Sequence, residues 1–318
     1  MPGLSRVTPF TVGGFQCHAL EGGIQRLDGG AMFGVVPKPL WSARIAPDER
    51  NRIRLAMRCI LIEHPDEGVV LLDTALGNKE DARFRDIYGM DNLGDPGTGD
   101  TWLEEALAET GHRPSDVRWV INTHLHFDHA GGNTRYDVAS GDGSGPPDPP
   151  PVARLTFPAA TYVVQRRELQ FARNTNERTR ASYLPPNFEP VAAADRWRLL
   201  EGDEDILPGV TSRLTPGHVP HHQSIVIHDR GEVAVFLGDV IPTAHHLPLP
   251  WVMGYDLEPL RTLESKRDLL ADAVAGEWLL IFEHDADTVL GRAVPGPRGV
   301  VLEGAVSAPG VDIAPESR

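Results

Sequence analysis

The stretch Thr123-His-Leu-His-Phe-Asp-His-Ala-Gly-Gly132 decides how this chain is read. It places His124, His126, Asp128 and His129 within six consecutive residues. Imidazole and carboxylate are the donors that zinc and similar divalent ions take. The alternation of His124 and His126 lets both side chains project the same way from an extended backbone. Asp128 and His129 then come from the turn that follows. Gly131 and Gly132 permit a tight turn and a close approach of backbone to the site. A merely solvated polar loop does not explain this spacing directly after the buried-strand pattern Val117-Arg-Trp-Val-Ile-Asn122.

Further polar residues follow other strand-like runs. Asp73 ends Val69-Val-Leu-Leu-Asp-Thr74, and His218 ends Thr215-Pro-Gly-His218. Asp239 lies in Phe236-Leu-Gly-Asp239 and His284 in Ile281-Phe-Glu-His284. Each alone reads as an ordinary hydrogen-bonded residue. Together, His218, Asp239 and His284 supply the three ligands that a two-metal site would still lack. Strands are expected at Arg54–His64, Val69–Thr74, Val117–Asn122, Thr161–Val164, Val210–Leu214, Ser224–His228, Val233–Leu237 and Trp278–Phe282. Helices are expected at Thr101–Thr110, at Gln165–Arg173 and at Glu258–Ala275, the last with Leu260, Leu263, Leu270 and Val274 on one face. Strands in runs alternating with helices imply α/β layers, helices covering sheets.

Composition bounds the answer. The 318 residues carry 30 Lys+Arg against 45 Asp+Glu, a formal net charge of −15, which argues against nucleic acid as a partner. No run of about 18 apolar residues occurs, so no transmembrane helix is expected and no membrane partner. Met1–Phe10 lacks the apolar stretch of a secretory signal, and a cytoplasmic location is the default expectation. Two cysteines, Cys17 and Cys59, exclude a disulfide scaffold or thiolate cluster and read as small buried strand residues. One catalytic domain is expected over 1–318, with an N-terminal site-covering segment (about 1–50), a Gly/Pro-rich surface loop (141–151) and, after one last strand, a frayed C-terminal tail (about 291–318).

On these motifs the chain resembles the metallo-β-lactamase-fold hydrolases, over roughly Cys59 to Asp287. The resemblance implies an αβ/βα four-layer sandwich with one site at the sheets' edge. It implies one metal held by His124, His126 and His218, a second by Asp128, His129 and His284, and Asp239 bridging both. It implies that Asp73 supports the metal-binding loop without ligating. Two divalent ions, zinc first and iron, manganese or cobalt as alternatives, would share a hydroxide that attacks the substrate. Asp128 would also take or pass a proton.

Within that superfamily the chain most resembles the quorum-quenching N-acyl homoserine lactonases and the related organophosphate hydrolases and arylesterases. Gly238-Asp-Val-Ile-Pro-Thr-Ala-His-His-Leu-Pro-Leu-Pro-Trp251, Phe282-Glu-His-Asp285 and the N-terminal Asp28-Gly-Gly-Ala-Met-Phe-Gly-Val-Val-Pro37 carry this. Met32, Phe33, Val35 and Val36 are candidates for an apolar pocket wall, as are Trp251, Tyr255 and the helix from Gln165. The resemblance implies ring opening of a lactone, with a small-molecule ester or lactone as the only partner besides an open homodimer. Arylester or phosphotriester hydrolysis at the same site is the runner-up. A mononuclear iron oxidoreductase and a non-catalytic binding protein are the rivals from other classes. One residue departs from the pattern: Pro242 stands where such lactonases place a tyrosine that binds the substrate carbonyl. Thr243, His245 or His246 are the side chains expected to fill that role. One of His221 and His222 is a candidate for orienting a ligand, while His18, His64, His112 and His228 read as structural.

Overall fold

A computed structural model describes residues 5–94, 100–137, 152–297 and 299–310. The strands, in chain order, are β1 (Val7–Val12), β2 (Phe15–Asp28), β3 (Arg52–His64), β4 (Gly68–Leu72), β5 (Val117–Ile121), the short pair β6 (Thr134–Arg135) and β7 (Arg154–Leu155), β8 (Thr161–Gln165) and β9 (Trp197–Leu200). They continue as β10 (Asp205–Leu207), β11 (Val210–Leu214), β12 (Gln223–Asp229), β13 (Glu232–Phe236), β14 (Leu279–Ile281), β15 (Thr288–Gly296) and β16 (Gly299–Ser307). The helices are α1 (Gly29–Phe33), α2 (Lys38–Trp41), α3 (Ala82–Tyr88), α4 (Trp102–Glu109), α5 (Phe127–Ala130), α6 (Arg166–Arg173), α7 (Glu189–Ala193) and α8 (Pro259–Ala275).

Two seven-stranded sheets form, ordered β1-β2-β3-β4-β5-β8-β9 and β10-β11-β12-β13-β14-β15-β16. Their inner faces interdigitate. Ile60, Ile62, Val70, Leu72 and Ile121 of the first pack in one buried cluster with Val210, Ile225, Ile227, Phe236 and Ile281 of the second. The outer face of the first sheet is covered by α4, whose Leu103, Ala106 and Leu107 meet Leu61, Leu71 and Val120. That of the second is covered by α8, whose Leu269, Leu270 and Ala273 meet Val235 and Leu280. Helix, sheet, sheet and helix are thus the four layers expected. The strands covered on both faces are continuous apolar runs in sequence, as buried strands must be.

Local chemistry sets the boundaries. Thr101 opens α4 through a reciprocal capping box with Glu104, and Pro259 opens α8 at the first turn. Arg58 of β3 is fully buried and ties the sheets together: it donates to Glu21 of β2, to the Phe282 carbonyl at 2.5 Å and to the Asp285 carbonyl at 2.9 Å. The two strand ends that flank His284 are thereby pinned to β3.

Three expectations need correction. Half of the N-terminal segment read as a cover is instead the β1–β2 hairpin of the first sheet; the site is reached by the end of β2, through Gln25 and Leu27, and by α1. The segment from about 291, read as one last strand and a frayed tail, instead contributes to the antiparallel pair β15 (Thr288–Gly296) and β16 (Gly299–Ser307). The buried face of α8 is Thr262, Lys266, Leu269, Leu270 and Ala273, while Leu260 is 77% exposed. The loop 141–151 lies outside the described residues. Both cysteines are buried on β2 and β3, as expected.

Candidate metal centre

β4, β5 and β8 run parallel in the first sheet, and β13 and β14 in the second. Their carboxyl ends lie together at one edge, the customary place for a site in α/β sheets. Asp73 follows β4, His124 follows β5, Asp239 follows β13 and His284 follows β14, while His218 follows the antiparallel β11. After β5 the chain extends through His124 and His126, then turns into α5, which carries Asp128 and His129. Gly132 lets this turn press against the end of β4: a Cβ there would stand 2.2 Å from the Thr74 carbonyl oxygen. Asp73 itself has φ 52, the left-handed region that Asp tolerates better than most residues and that gathers at functional sites.

Two groups of donors result. His124, His126, His218 and Asp239 form one, and Asp128, His129 and His284 the other; within each, the donor atoms lie no more than 4.8 Å apart. Asp239 reaches both groups. One carboxylate oxygen lies 3.0 Å from His218 Nε2 and the other 3.0 Å from His284 Nε2. All seven residues named from the sequence are brought together.

Each imidazole has one nitrogen anchored or free to converge. His218 Nδ1 is held by Asp256 at 3.1 Å, His284 Nδ1 by the Ala56 carbonyl at 2.7 Å and His124 Nδ1 lies 3.1 Å from the Thr123 hydroxyl. The opposite nitrogens point at one another: His126 Nδ1 to His218 Nε2 at 3.1 Å, and His284 Nε2 to His129 Nε2 at 3.2 Å. The buried Nε2 of His124 has no partner among the described residues. Nitrogen lone pairs facing each other among buried side chains, plus one orphaned nitrogen, are what a divalent ion satisfies. The donor set therefore fits the metals that the sequence implied.

Electrostatics agree. Burial pushes His124 and His126 down, so both rings stay neutral and able to ligate. Burial opposes the charge on Asp239, yet the rings of His218, His284 and His129 hold its carboxyl well below the usual range. Against the same opposing burial, Asp239 and Glu283 push His284 up to about 9.

A third group, Asp73, His129 and Glu283, lies behind the second. Asp73 accepts from the Thr123 backbone N–H at 2.8 Å and its hydroxyl at 2.6 Å, and lies 3.1 Å from His129 Nδ1. Glu283 Oε1 lies 2.9 Å from the same nitrogen. Both carboxylates thus hold the Nδ1 side of the ring, and Nε2 faces the second donor group.

Other expected residues fall elsewhere. Met32 lines the cavity above the centre, but Phe33 is buried beside it and stacks on His246 at 4.6 Å. Val36 packs with Phe33, and Val35 is 90% exposed. Thr243 and His246 face each other at 2.8 Å, and His246 Nε2 lies 2.8 Å from the Met32 carbonyl oxygen. Their polar atoms are thus spent on holding α1, and neither they nor His245 line the cavity. His222 holds the backbone of Asp239, accepting its N–H at 3.0 Å.

Sequence reasoning missed several residues. Gln25 touches Asp128, Asp256 holds His218, and Glu168 accepts from the Leu125 N–H and the Tyr183 hydroxyl while Tyr183 packs edge-on against His126. Asp256 and Glu168 are of a ligand type but stand in no spacing that marks them, and Gln25 and Tyr183 carry neither signal. The cavity over the centre has a volume of about 340 Å³. Its walls include Leu27, Met32, Phe127, Met253 and Leu257, with the phenols of Tyr88 and Tyr255 and the Arg178 side chain as polar features. Tyr255 was among the expected wall residues; Trp251 lies behind them, packed on Phe33.

Comparisons with known proteins fit this geometry. An N-acyl homoserine lactonase of Bacillus cereus is 29% identical over 250 residues, covering 77% of this chain and 87% of the relative. The crystal structure of a probable metal-dependent hydrolase from Staphylococcus aureus superposes with a TM-score of 0.80 at 28% identity, over 93% of this chain and all of that one. AidC, a dizinc quorum-quenching lactonase in complex with a product, superposes with a TM-score of 0.72 at 18% identity, over 94% of this chain and 97% of that one, a likeness of fold. The model of the metallo-beta-lactamase superfamily matches residues 56–286, which span both donor groups. With that match and this donor set, the chain belongs to the metallo-beta-lactamase superfamily and is a metal-dependent hydrolase.

Proposed function

We propose that this hydrolase opens the ring of a lactone of the N-acyl homoserine lactone type, using two divalent ions, zinc by first choice. The observation that carries the two-metal reading is Asp239, whose two oxygens each stand 3.0 Å from a histidine of a different donor group. Lactone as substrate is supported by the lactonase relative and by a small cavity with a mostly apolar wall. His124, His126 and His218 would hold one ion, Asp128, His129 and His284 the other, and Asp239 both. When bound, such a pair polarises an acyl oxygen and activates water.

The chain's own residues do the rest. Leu27, Met32, Met253 and Leu257 offer an acyl chain a dry surface and exclude water from it. Tyr88 and Tyr255 present phenols to the same space, and burial, with the Asp128 carboxylate adding to it, raises both, so they remain proton donors. Asp128, buried at the cavity floor, accepts and returns a proton at a carboxylate oxygen as the ring opens. No serine or cysteine nucleophile is required.

Hydrolysis of an aryl ester or phosphotriester is the second reading, favoured by Pro242, which offers no hydroxyl to a lactone carbonyl. Initial rates of proton release on N-hexanoyl homoserine lactone, phenyl acetate and a paraoxon-type triester separate the two. The proposal expects kcat/KM to be highest for the lactone by an order of magnitude or more. A triester or aryl ester turned over faster would overturn the lactone assignment and leave the hydrolase intact.

A further inference from the structure

The side chain of Asp128 is held from a strand distant in sequence. Gln25 of β2 is fully buried, and its Nε2 donates to Asp128 Oδ2 at 2.5 Å. A carboxylate only accepts, so the amide must turn its nitrogen towards it. Oδ1 is left facing His129 Nε2, 3.8 Å away.

Gln25 reaches Asp128 because β2 is irregular. Its pairing with β3 runs Leu20↔Cys59 and Glu21↔Arg58, then resumes at Ile24↔Ala56 and Gln25↔Leu55. One extra residue is therefore inserted at Gly22-Gly23. A shift of one residue sends every later side chain to the opposite face. Gln25 and Leu27 pair with Leu55 and Ile53, which share the face of Cys59, so they lie on the face of Leu20. That face holds Phe127 and opens on the cavity, which Leu27 lines. In an unbroken strand both would turn to the face between the sheets, away from Asp128. The insertion is possible only for glycine. Gly23 has φ 153, and a Cβ on Gly22 would stand 2.6 Å from the Ala75 Cβ.

We infer that Gln25 is a positioning residue for Asp128: its amide fixes the carboxylate so that Asp128 can complete the donor group of His129 and His284. The inference rests on the two-metal reading above. It concerns the ion of that group, because Asp128 is the ligand that the Gln25 amide holds.

The test is zinc titration of the 318-residue chain against a chromophoric chelator, for wild type, Gln25→Met, Gln25→Asn, Asp128→Ala and the Gln25→Met/Asp128→Ala double variant. Met keeps the length of the side chain without a donor, and Asn retracts the donor by one methylene. Wild type is expected to bind two ions. Gln25→Met and Gln25→Asn are each expected to weaken one ion, the same one that Asp128→Ala weakens, about tenfold or more, the usual effect of losing a hydrogen bond to a metal ligand, and to leave the other within about twofold. In the Asp128→Ala background Gln25→Met is expected to change nothing further. Should one variant fail to fold, judged by near-ultraviolet circular dichroism, the other carries the test. Unchanged affinity for both ions, equal weakening of both, or a further loss in the Asp128→Ala background would overturn the inference alone. A wild-type chain that binds fewer than two ions would overturn the two-metal reading, and the inference with it.

Discussion

At the scale of single residues, each ligating nitrogen is set by what the other nitrogen touches. Asp256 anchors His218, so Asp256→Asn keeps an acceptor but loses its charge. We expect it to weaken metal binding about tenfold without unfolding the chain, measured by chelator competition. His246 is held between the Thr243 hydroxyl and the Met32 carbonyl. His246→Leu leaves that carbonyl buried and unpaired and should cost about 1–3 kcal/mol of stability, read from a denaturant midpoint. The ligands were legible in sequence because most stand within one short segment and the rest directly follow apolar strand runs. Gln25, Asp256 and Glu168 were not, because a supporting residue needs only to arrive at the right place from anywhere in the chain. Thr243 and His246 were read as facing substrate because the spacing from Asp239 does not say which way a side chain points. The turn after Asp239 sends them behind α1 instead.

At the scale of elements, the central strands β3, β4, β5, β8 and β11 to β14 were readable from apolar runs, whereas β1, β2, β9 and β10 were not, and the helix expected over Thr101–Thr110 forms as α4 to within a residue at each end. The face of α8 was misread. Its interior side carries Lys266, whose ammonium donates to the Pro248 and Trp251 carbonyls at 2.8 and 2.9 Å and so anchors the loop beneath the cavity wall. A hydrophobicity pattern places a lysine outside. Burial pushes this one down from 10.5 to about 7. Between those values the unfolded chain holds the proton and the folded chain has released it, so stability should rise as pH climbs from about 7 towards 10. Lys266→Met has no such group, and its stability curve over this window should be flatter by up to about 1.4 kcal/mol per pH unit. Denaturant midpoints at several pH values check this; parallel curves for the two proteins would refute it. The β2 irregularity was also invisible, since two adjacent glycines read as readily as a turn.

At the scale of the whole molecule, the two sheets supply the centre from opposite sides: His124, His126, Asp128 and His129 follow a strand of the first, and His218, Asp239 and His284 follow strands of the second. A bound ion therefore cross-links the halves of the sandwich. Ligands that bind only the folded state stabilise it by mass action, about 2.7 kcal/mol per site at a hundredfold excess over Kd. Removing metal should lower the thermal midpoint by several degrees, and Asp239→Ala, which takes a donor from both groups, should abolish most of that difference. That helices cover sheets was legible from the alternation of strand and helix patterns, while the order of the four layers was implied by the resemblance. The meeting of the sheets' ends was implied only through the resemblance, because contacts between distant strands leave no local mark in sequence.

Ring opening of N-hexanoyl homoserine lactone should be followed with the protein as purified, after exhaustive chelation, and after return of two equivalents of zinc. Turnover is expected to disappear with the metal and to return in full only with the second equivalent. Turnover unaffected by chelation, or a chain that takes up two ions and opens no lactone, would contradict the proposed function.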